Sequence, residues 1–376
     1  MDWLDWLLWT AGVVLFLVIL MVSVGLHEAG HMVAAKKLGV KVPEFFVGFG
    51  TKLFSFKRGG TEYGMRLIPA GGYVRLVDES VEEGKPEREA LSYVAPWKRQ
   101  IIYVAGPLVN IVLGFAILFG VIVGYPYDQP NTTIDRINSC SAEEVVCGAE
   151  TAGIAPGDKI LSIDGTPVKS YTEISPLLKG QSSVDMEILR DGKTLEFAAV
   201  PVKDDRFGVN LSWESIYRTP GEAAGVTVDL VVKSGEAVLS IPQQLPGLVA
   251  TVFAGAERDP ESVGSVVGAG KTYGDVAATE KLDVESKVRT FLLIAGGLNM
   301  SLGLLNLLPF PPLDGGRMLF AFIDSCRKFF SKIRQKAYTP TPYKWIKIAT
   351  VVPALVLIGV MALLIVADIV APINIL

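Results

Sequence analysis

VGLHEAGHMVAAKK, residues 24–37, closes a run of apolar residues with two histidines and a glutamate and then turns to lysine. His27 and His31 are the only histidines in 376 residues. On a helix, side chains at i and i+4 stand one turn apart on one face. H-E-x-x-H is the spacing at which two imidazoles hold Zn²⁺ and the glutamate serves as general base on the bound water. A five-residue pattern is short enough to arise by chance. Its setting argues otherwise, because His27, Glu28 and His31 precede the first basic residue, Lys36, at the edge of a potential membrane span. Polar side chains there are expensive and usually functional. A purely structural polar cluster is the competing reading.

Outward from this stretch, the chain is 50% hydrophobic and only 20% charged, with a mean hydropathy of +0.41. Four segments, Trp6–Leu26, Ile101–Tyr125, Thr290–Pro309 and Ile348–Ile369, are apolar and free of Lys and Arg. Each is long enough to cross ~30 Å of hydrocarbon at ~1.5 Å per residue. Residues 36–99 hold 12 of the 35 basic residues and 317–347 hold 8, with none before Lys36 or after Lys347. The positive-inside rule then puts those two loops in the cytoplasm and both termini outside, and span parity puts 126–285 outside as well. Trp3, Trp6 and Trp9 read as an interfacial aromatic belt. Asp2 and Asp5 replace the basic start of a cleavable signal peptide. The net charge of −4 argues against nucleic acid as a partner.

A hydrolytic zinc site commonly has three protein ligands and a water. With no third histidine, the last ligand must be Asp, Glu or Cys at the cytoplasmic end of another span. The third span runs into NLLPFPPLDGGRMLF, residues 306–320, where Pro309, Pro311 and Pro312 end the helix. Asp314 follows, between Leu313 and two glycines; an Asp there also suits a turn or a helix cap. Asp324 and Cys326 are poorer candidates, on a basic amphipathic segment.

The remaining chain reads as follows. Residues 42–76 alternate aromatic and aliphatic side chains with glycine turns, as short strands that dip against the membrane or line a cavity. A charged stretch, DESVEEGKPEREAL, is expected to be solvated loop. Residues 126–212 alternate β-like runs with turns, and Asp164-Gly165 and Asp191-Gly192 are hairpin signals. IPQQLPGLVATVFAG suits an amphipathic helix on the outer surface, and glycine-rich ESVGSVVGAGKTYGD is expected to be irregular. Cys140 and Cys147 fall outside, where a disulfide between them is compatible with an oxidising compartment.

AGIAPGDKILSIDGTPV, residues 152–168, resembles a PDZ domain of the bacterial membrane-protease type, which binds extended peptides along a strand edge. HExxH in the first span, this PDZ-like stretch, and N-x-x-P-x-P-x-L-D-G on a later span together resemble the site-2 protease family of intramembrane zinc metalloproteases. The likeness covers nearly the whole chain, and its style suggests an actinobacterial relative. The resemblance implies zinc ligation by His27, His31 and Asp314 and a catalytic carboxylate at Glu28. It implies substrate handling by Asn306, whose alternative role is an interhelical hydrogen bond. Residues 64–76, GMRLIPAGGYVRL, resemble the family's membrane-associated β-hairpin, which brings in Gly71 and Gly72 as substrate-binding positions. In AGPLVN, residues 105–110, Gly106 and Asn110 suit helix packing better than chemistry.

The expected architecture is therefore a polytopic α-helical membrane protein of about four transmembrane helices, with a membrane-associated β-hairpin and an inserted extracytoplasmic PDZ-like β domain. Its parts are a first helix over 1–36 carrying HExxH, a cytoplasmic loop with the hairpin over 37–96, and a second helix over 97–125. The PDZ domain follows over 126–212 and a linker with an amphipathic helix over 213–289. The third helix with its LDG motif covers 290–320, a cytoplasmic basic segment 321–347 and the fourth helix 348–376. The expected function is hydrolysis of peptide bonds within single-span membrane proteins in a bacterial cytoplasmic membrane, anti-sigma factors and remnant signal peptides being the family's substrate classes. Partners would be those substrates, the lipid bilayer and a peptide ligand of the PDZ groove. A non-proteolytic zinc scaffold is the alternative, but it has no use for Glu28. A metal transporter would carry more intramembrane ionisable residues.

Overall fold

The computed structural model describes residues 2–76, 91, 94–139, 147–259, 262–337 and 343–373. The charged stretch 77–90 and Cys140 lie outside them. Cys147 is disulfide-bonded and Cys326 is free. The chain divides into two compact units, one made of residues 1–122 and 221–376, the other of 123–220.

In the first unit, helix α1 (Trp3–Lys37) is capped by Asp2, whose carboxylate accepts from the N–H groups of Leu4 and Asp5, and it ends in Lys36 and Lys37. Acid at the start and base at the end suit the helix dipole. Strands β1 (Glu44–Arg58) and β2 (Thr61–Arg75) pair antiparallel with several register shifts. Phe46 lies opposite both Gly64 and Tyr73, so residues 44–47 have partners on both flanks. Phe49, Leu53, Phe54, Phe56, Leu67 and Ile68 of this hairpin are exposed. Helix α2 (Pro96–Gly124) follows. It packs closely on α1, since a Cβ at Gly30 would meet the Ala105 carbonyl at 2.6 Å.

The second unit is a sheet with its own core. Strand β3 (Tyr127–Ile137) pairs with β4 (Lys159–Ile163) and β8 (Val209–Ile216). The short β5 (Thr166–Pro167) and then β6 (Ser183–Arg190) and β7 (Lys193–Pro201) complete the order β7-β6-β4-β3-β8, with β5 on β4. Two five-residue helices, α3 (Gly148–Ala152) and α4 (Ile174–Leu178), lie between strands in sequence. Asp164-Gly165 and Asp191-Gly192 make the two tight turns with positive φ at both residues, the geometry that matches strand twist in two-residue hairpins. Ile134, Ile154, Ile160, Ile163, Met186 and Phe207 are among the buried side chains of its core.

The first unit resumes with α5 (Pro220–Ala254), α6 (Val266–Ala278), α7 (Val284–Leu307), α8 (Asp314–Ile333) and α9 (Tyr343–Val370). Among the described residues five helices, α1, α2, α5, α7 and α9, are long and apolar enough to cross a membrane. Four are expected from the apolar segments of the sequence. The addition is α5, a 35-residue helix that runs through Pro242 and Pro246, where a short surface helix was expected. The glycine-rich stretch after it is not irregular either, because it forms α6 against α1. A Cβ at Gly12 would meet the Tyr273 carbonyl at 2.4 Å, and one at Gly274 would meet the Trp9 ring at 2.6 Å. Small residues let the two backbones approach, which compensates glycine's poor helix propensity. Trp9 therefore docks α6, its indole N–H donating to Asp275 at 3.0 Å, while Trp3 and Trp6 are exposed. At the other end of α6, the buried Asp368 of α9 accepts from the N–H groups of Ser265 and Gly268 and from Arg258.

Candidate active site

The long apolar helix α1 carries His27 and His31 to its final turns, and Pro309, Pro311 and Pro312 separate α7 from α8 so that Asp314 opens α8. Gly315 and Gly316 permit the tight return, since a Cβ on either would strike the backbone of residues 307–311 at 2.0–2.5 Å. Asp314 Oδ2 then lies 3.1 Å from His27 Nε2 and 3.0 Å from His31 Nε2, and the two imidazole nitrogens are 3.2 Å apart. All three residues are buried.

His31 Nδ1 is 2.7 Å from the Ile102 carbonyl, a contact that requires Nδ1–H to donate. The neutral ring then presents a lone pair at Nε2, facing a second imidazole nitrogen and a carboxylate oxygen. Three ligand atoms within 4.8 Å of one another, with two nitrogens and one oxygen as the donor set, fit a divalent cation of zinc's preference. The Ile102 carbonyl is the kind of partner that fixes a metal-binding tautomer. His27 Nδ1 is buried with no partner among the described residues.

Glu28 is half-buried and lines a cavity of about 300 Å³ together with His27, His31 and Asp314. Gly71, Gly72 and Asn306 line the same cavity, so the structure brings together all seven residues singled out in the sequence. Gly72 sits close to Glu28, because a Cβ there would lie 3.3 Å from Glu28 Cγ and 3.0 Å from the Phe46 carbonyl. Asn306 donates to the Leu302 carbonyl of its own helix at 3.0 Å.

Three further lining residues, Tyr103, Asn110 and Arg317, were not assigned to the site from sequence. The Arg317 guanidinium is 4.0 Å from Asp314 Oδ1. Asn110 is buried, and its Oδ1 has no partner among the described residues. Gly106 is more than a packing residue: a Cβ there would fall 2.3 Å from His31 Nε2, so its missing side chain makes room for the imidazole. Only the AGPLVN motif hinted at these α2 positions.

The model of peptidase family M50 matches residues 15–343, which include the whole of this cluster. The chain belongs to peptidase family M50, the site-2 proteases. Curated relatives of this M50 chain include zinc metalloprotease Rip1 of Mycobacterium tuberculosis, 32% identical over 98% of this chain and 99% of that protein. Zinc metalloprotease Rip1 of Mycolicibacterium smegmatis is 32% identical over 97% of this chain and 98% of its own length. The likeness to actinobacterial members read from the sequence is thus found across the full length.

Proposed function

We propose that this M50 protein is an intramembrane zinc metalloprotease that hydrolyses peptide bonds within the membrane-spanning segments of single-span proteins. The observation that carries the reading is the meeting of His27, His31 and Asp314 beside Glu28 in a cavity walled by apolar helices and by the hairpin. His27, His31 and Asp314 would hold Zn²⁺, which when bound would polarise a scissile carbonyl and acidify its water. The Ile102 carbonyl keeps the His31 ring oriented for that task. Glu28 takes the proton of the attacking water on its carboxylate and delivers it to the leaving amine.

A helical substrate must be locally unwound before water reaches its peptide bonds, and lipid cannot satisfy the freed backbone groups. Residues 71–74 of β2 line the cavity, and Val47, Phe46 and Phe45 pair with Gly72, Tyr73 and Val74 on one side. That strand edge is suited to receive the extended substrate by strand addition, with Gly71 and Gly72 permitting close approach and Asn306 holding a freed peptide group. The exposed aromatic and aliphatic side chains of the hairpin support its immersion at the membrane.

The cluster also bears on topology. His27 and His31 lie near the C-terminal end of α1, and Asp314 just beyond the C-terminal end of α7, so these two helices run in the same direction. That supports an even number of crossings between the end of α2 and the start of α7. With α5 and the 13-residue α6 together returning the chain to the side it left without a full crossing, the full spans are the four helices α1, α2, α7 and α9. With the Lys and Arg distribution, this favours extracytoplasmic termini and an extracytoplasmic PDZ-like domain at 126–212. Anti-sigma factors and remnant signal peptides are the proposed substrate classes, cut after another protease has trimmed their outer parts.

The test is zinc analysis of the purified protein alongside cleavage of a model single-span substrate by the wild type and Glu28→Gln. Stoichiometric zinc in both with cleavage only in the wild type is expected. A wild type without zinc, or a variant cutting within about tenfold of it, overturns the reading. Single cysteines at Asp191 and at Lys347 in a Cys-free chain test orientation: an impermeant thiol reagent on intact cells should label only the former.

A further inference from the structure

Helix α8 leaves the active-site cavity at Asp314 and runs across the first turn of α2. Arg99 of α2 donates to Asp324 of α8 at 3.0 Å, with the two side chains 12% and 2% exposed, and the Gln100 amide donates to the Met318 carbonyl at 2.7 Å. These buried contacts fix α8 at the level where α2 changes from Lys98 and Arg99 to its apolar run. Beyond Asp324 the sequence SCRKFFSKIRQK, residues 325–336, holds five basic residues and no acid. Its Phe329, Phe330 and Ile333 are exposed. Between this part of α8 and the start of α2 lies a cavity of about 490 Å³, lined by the apolar Pro96, Trp97 and Phe329 and by the basic Lys328, Lys332 and Lys336. None of its described lining residues is acidic.

We infer that this cavity is a binding site for one anionic phospholipid, with the headgroup phosphate on Lys332 and Lys336 and an acyl chain along Trp97 and Phe329. The argument is charge and shape together. Lysines and aromatic rings lining one cavity match an amphiphile whose anionic end is joined to a hydrocarbon tail, and a soluble anion leaves the aromatic side chains uncovered. The placement agrees, because a basic amphipathic helix with exposed aromatics belongs in the headgroup region, where each lysine or arginine gains by proximity to anionic lipid. The site is separate from the cluster that holds His27, His31 and Asp314, and shares no lining residue with it.

The experiment is native mass spectrometry of the full-length protein titrated with phosphatidylglycerol or phosphatidylcholine. Wild type should retain one phosphatidylglycerol in preference to phosphatidylcholine, and millimolar inorganic phosphate should not displace it. Lys332→Gln with Lys336→Gln should weaken that retention ~30-fold, from ~1 kcal/mol per basic group. Phe329→Ala should weaken it with the charge unchanged. Zinc content equal to wild type in each variant reports an intact fold. Equal retention of the two lipids, unchanged phosphatidylglycerol binding in the double lysine variant of intact fold, or displacement by phosphate overturns the inference.

Discussion

Along β6 alternate side chains, Val184, Met186 and Ile188, are buried, whereas along β1 every residue after Gly48 is exposed. Both are antiparallel β structure in one chain, yet they are stabilised in different ways. The sheet of residues 123–220 encloses a core of its own, and its strands show the period of two that a half-buried sheet requires. The hairpin of residues 44–75 has aromatics on both faces and shifting register. Its buried part is the end that touches α1, where Phe46 is enclosed. A sheet that buries its own apolar side chains is a stable fold wherever it is placed. A hairpin that exposes Leu53, Phe54, Phe56, Leu67 and Ile68 depends on apolar surroundings, and in exchange its edge is left open beside Glu28 and the histidines.

The sharpest way to test that contrast is to make the same change in each region. Glu28→Gln is expected to lower cleavage by ~10²–10⁴, the usual yield of general acid–base catalysis, with zinc retained. Glu187→Gln, in which Glu187 accepts from Ser162 at 2.9 Å, should leave cleavage of a trimmed substrate unchanged. Metal content and cleavage rates measured side by side check both, and a large loss from Glu187→Gln would break the division of labour.

Next come the residues around the imidazoles. Asp314→Asn should weaken zinc retention, since a neutral amide is a poorer ligand. Gly106→Ala should do the same by ~10–100-fold, because its methyl group would displace the His31 ring from the position set by Ile102. Equilibrium dialysis against a chelator reads both, and normal zinc affinity in Gly106→Ala would remove Gly106 from the site.

A smaller effect is expected at the hairpin. Gly72→Val should lower cleavage by about tenfold with zinc affinity preserved, because its branched side chain crowds Glu28 and the Phe46 carbonyl without touching the ligands. Loss of zinc in that variant would mean that the hairpin braces the metal cluster and does not simply face the substrate.

The last change should affect stability alone. Asp158 is buried between the Ala155 N–H and the Arg190 guanidinium, which donates at 2.6 Å and 2.7 Å. Burial pushes its carboxyl up, but the hydrogen bonds from Arg190 and Ala155 outweigh that and hold it below the ordinary value. A carboxyl lowered on folding stabilises fully above its unfolded-state pKa and loses that contribution as the pH falls through the lower folded-state value. Asp158→Asn should therefore cost about 1–3 kcal/mol at neutral pH, with the gap to wild type closing in acid. Protease susceptibility of residues 183–201 during thermal melting of the full chain measures it, and cleavage at permissive temperature should be unaffected.

The proposed zinc ligands His27, His31 and Asp314 were legible in the sequence because H-E-x-x-H specifies its own geometry on a helix and because three prolines announce where α7 must stop before Asp314. The Asp-Gly turns were legible for the same local reason. What escaped depends on contacts between distant segments. Gly270 and Gly274 lower the helix propensity of α6, and it is their close packing on Phe16 and Trp9 of α1, with Asp368 of α9 at the helix start, that makes the helix favourable. IPQQLPGLVATVFAG was legible as helix, but not that the helix begins at Pro220 and runs 35 residues. Tyr103, Asn110 and Arg317 carry no spacing signal, since each is a single polar residue whose position in the cavity is set by how α2, α7 and α8 pack.

The Arg258–Asp368 pair lies far along the chain from the histidines but has a bearing on them. Arg258 is 4% exposed and binds Asp368, the Ala371 and Val263 carbonyls and Ser262, while Asp368 receives the first N–H groups of α6. Most of α9 is exposed on this protein, and at this end it is held by the ion pair together with the apolar packing of Leu364 and Ala367 on Leu248 of α5. The pair works as a keystone: it closes the start of α6, α6 grips the first half of α1, and α1 ends in His27 and His31. The last turn of α9, which contributes no residue to the active-site cavity, is in this way part of the scaffold that positions the histidines.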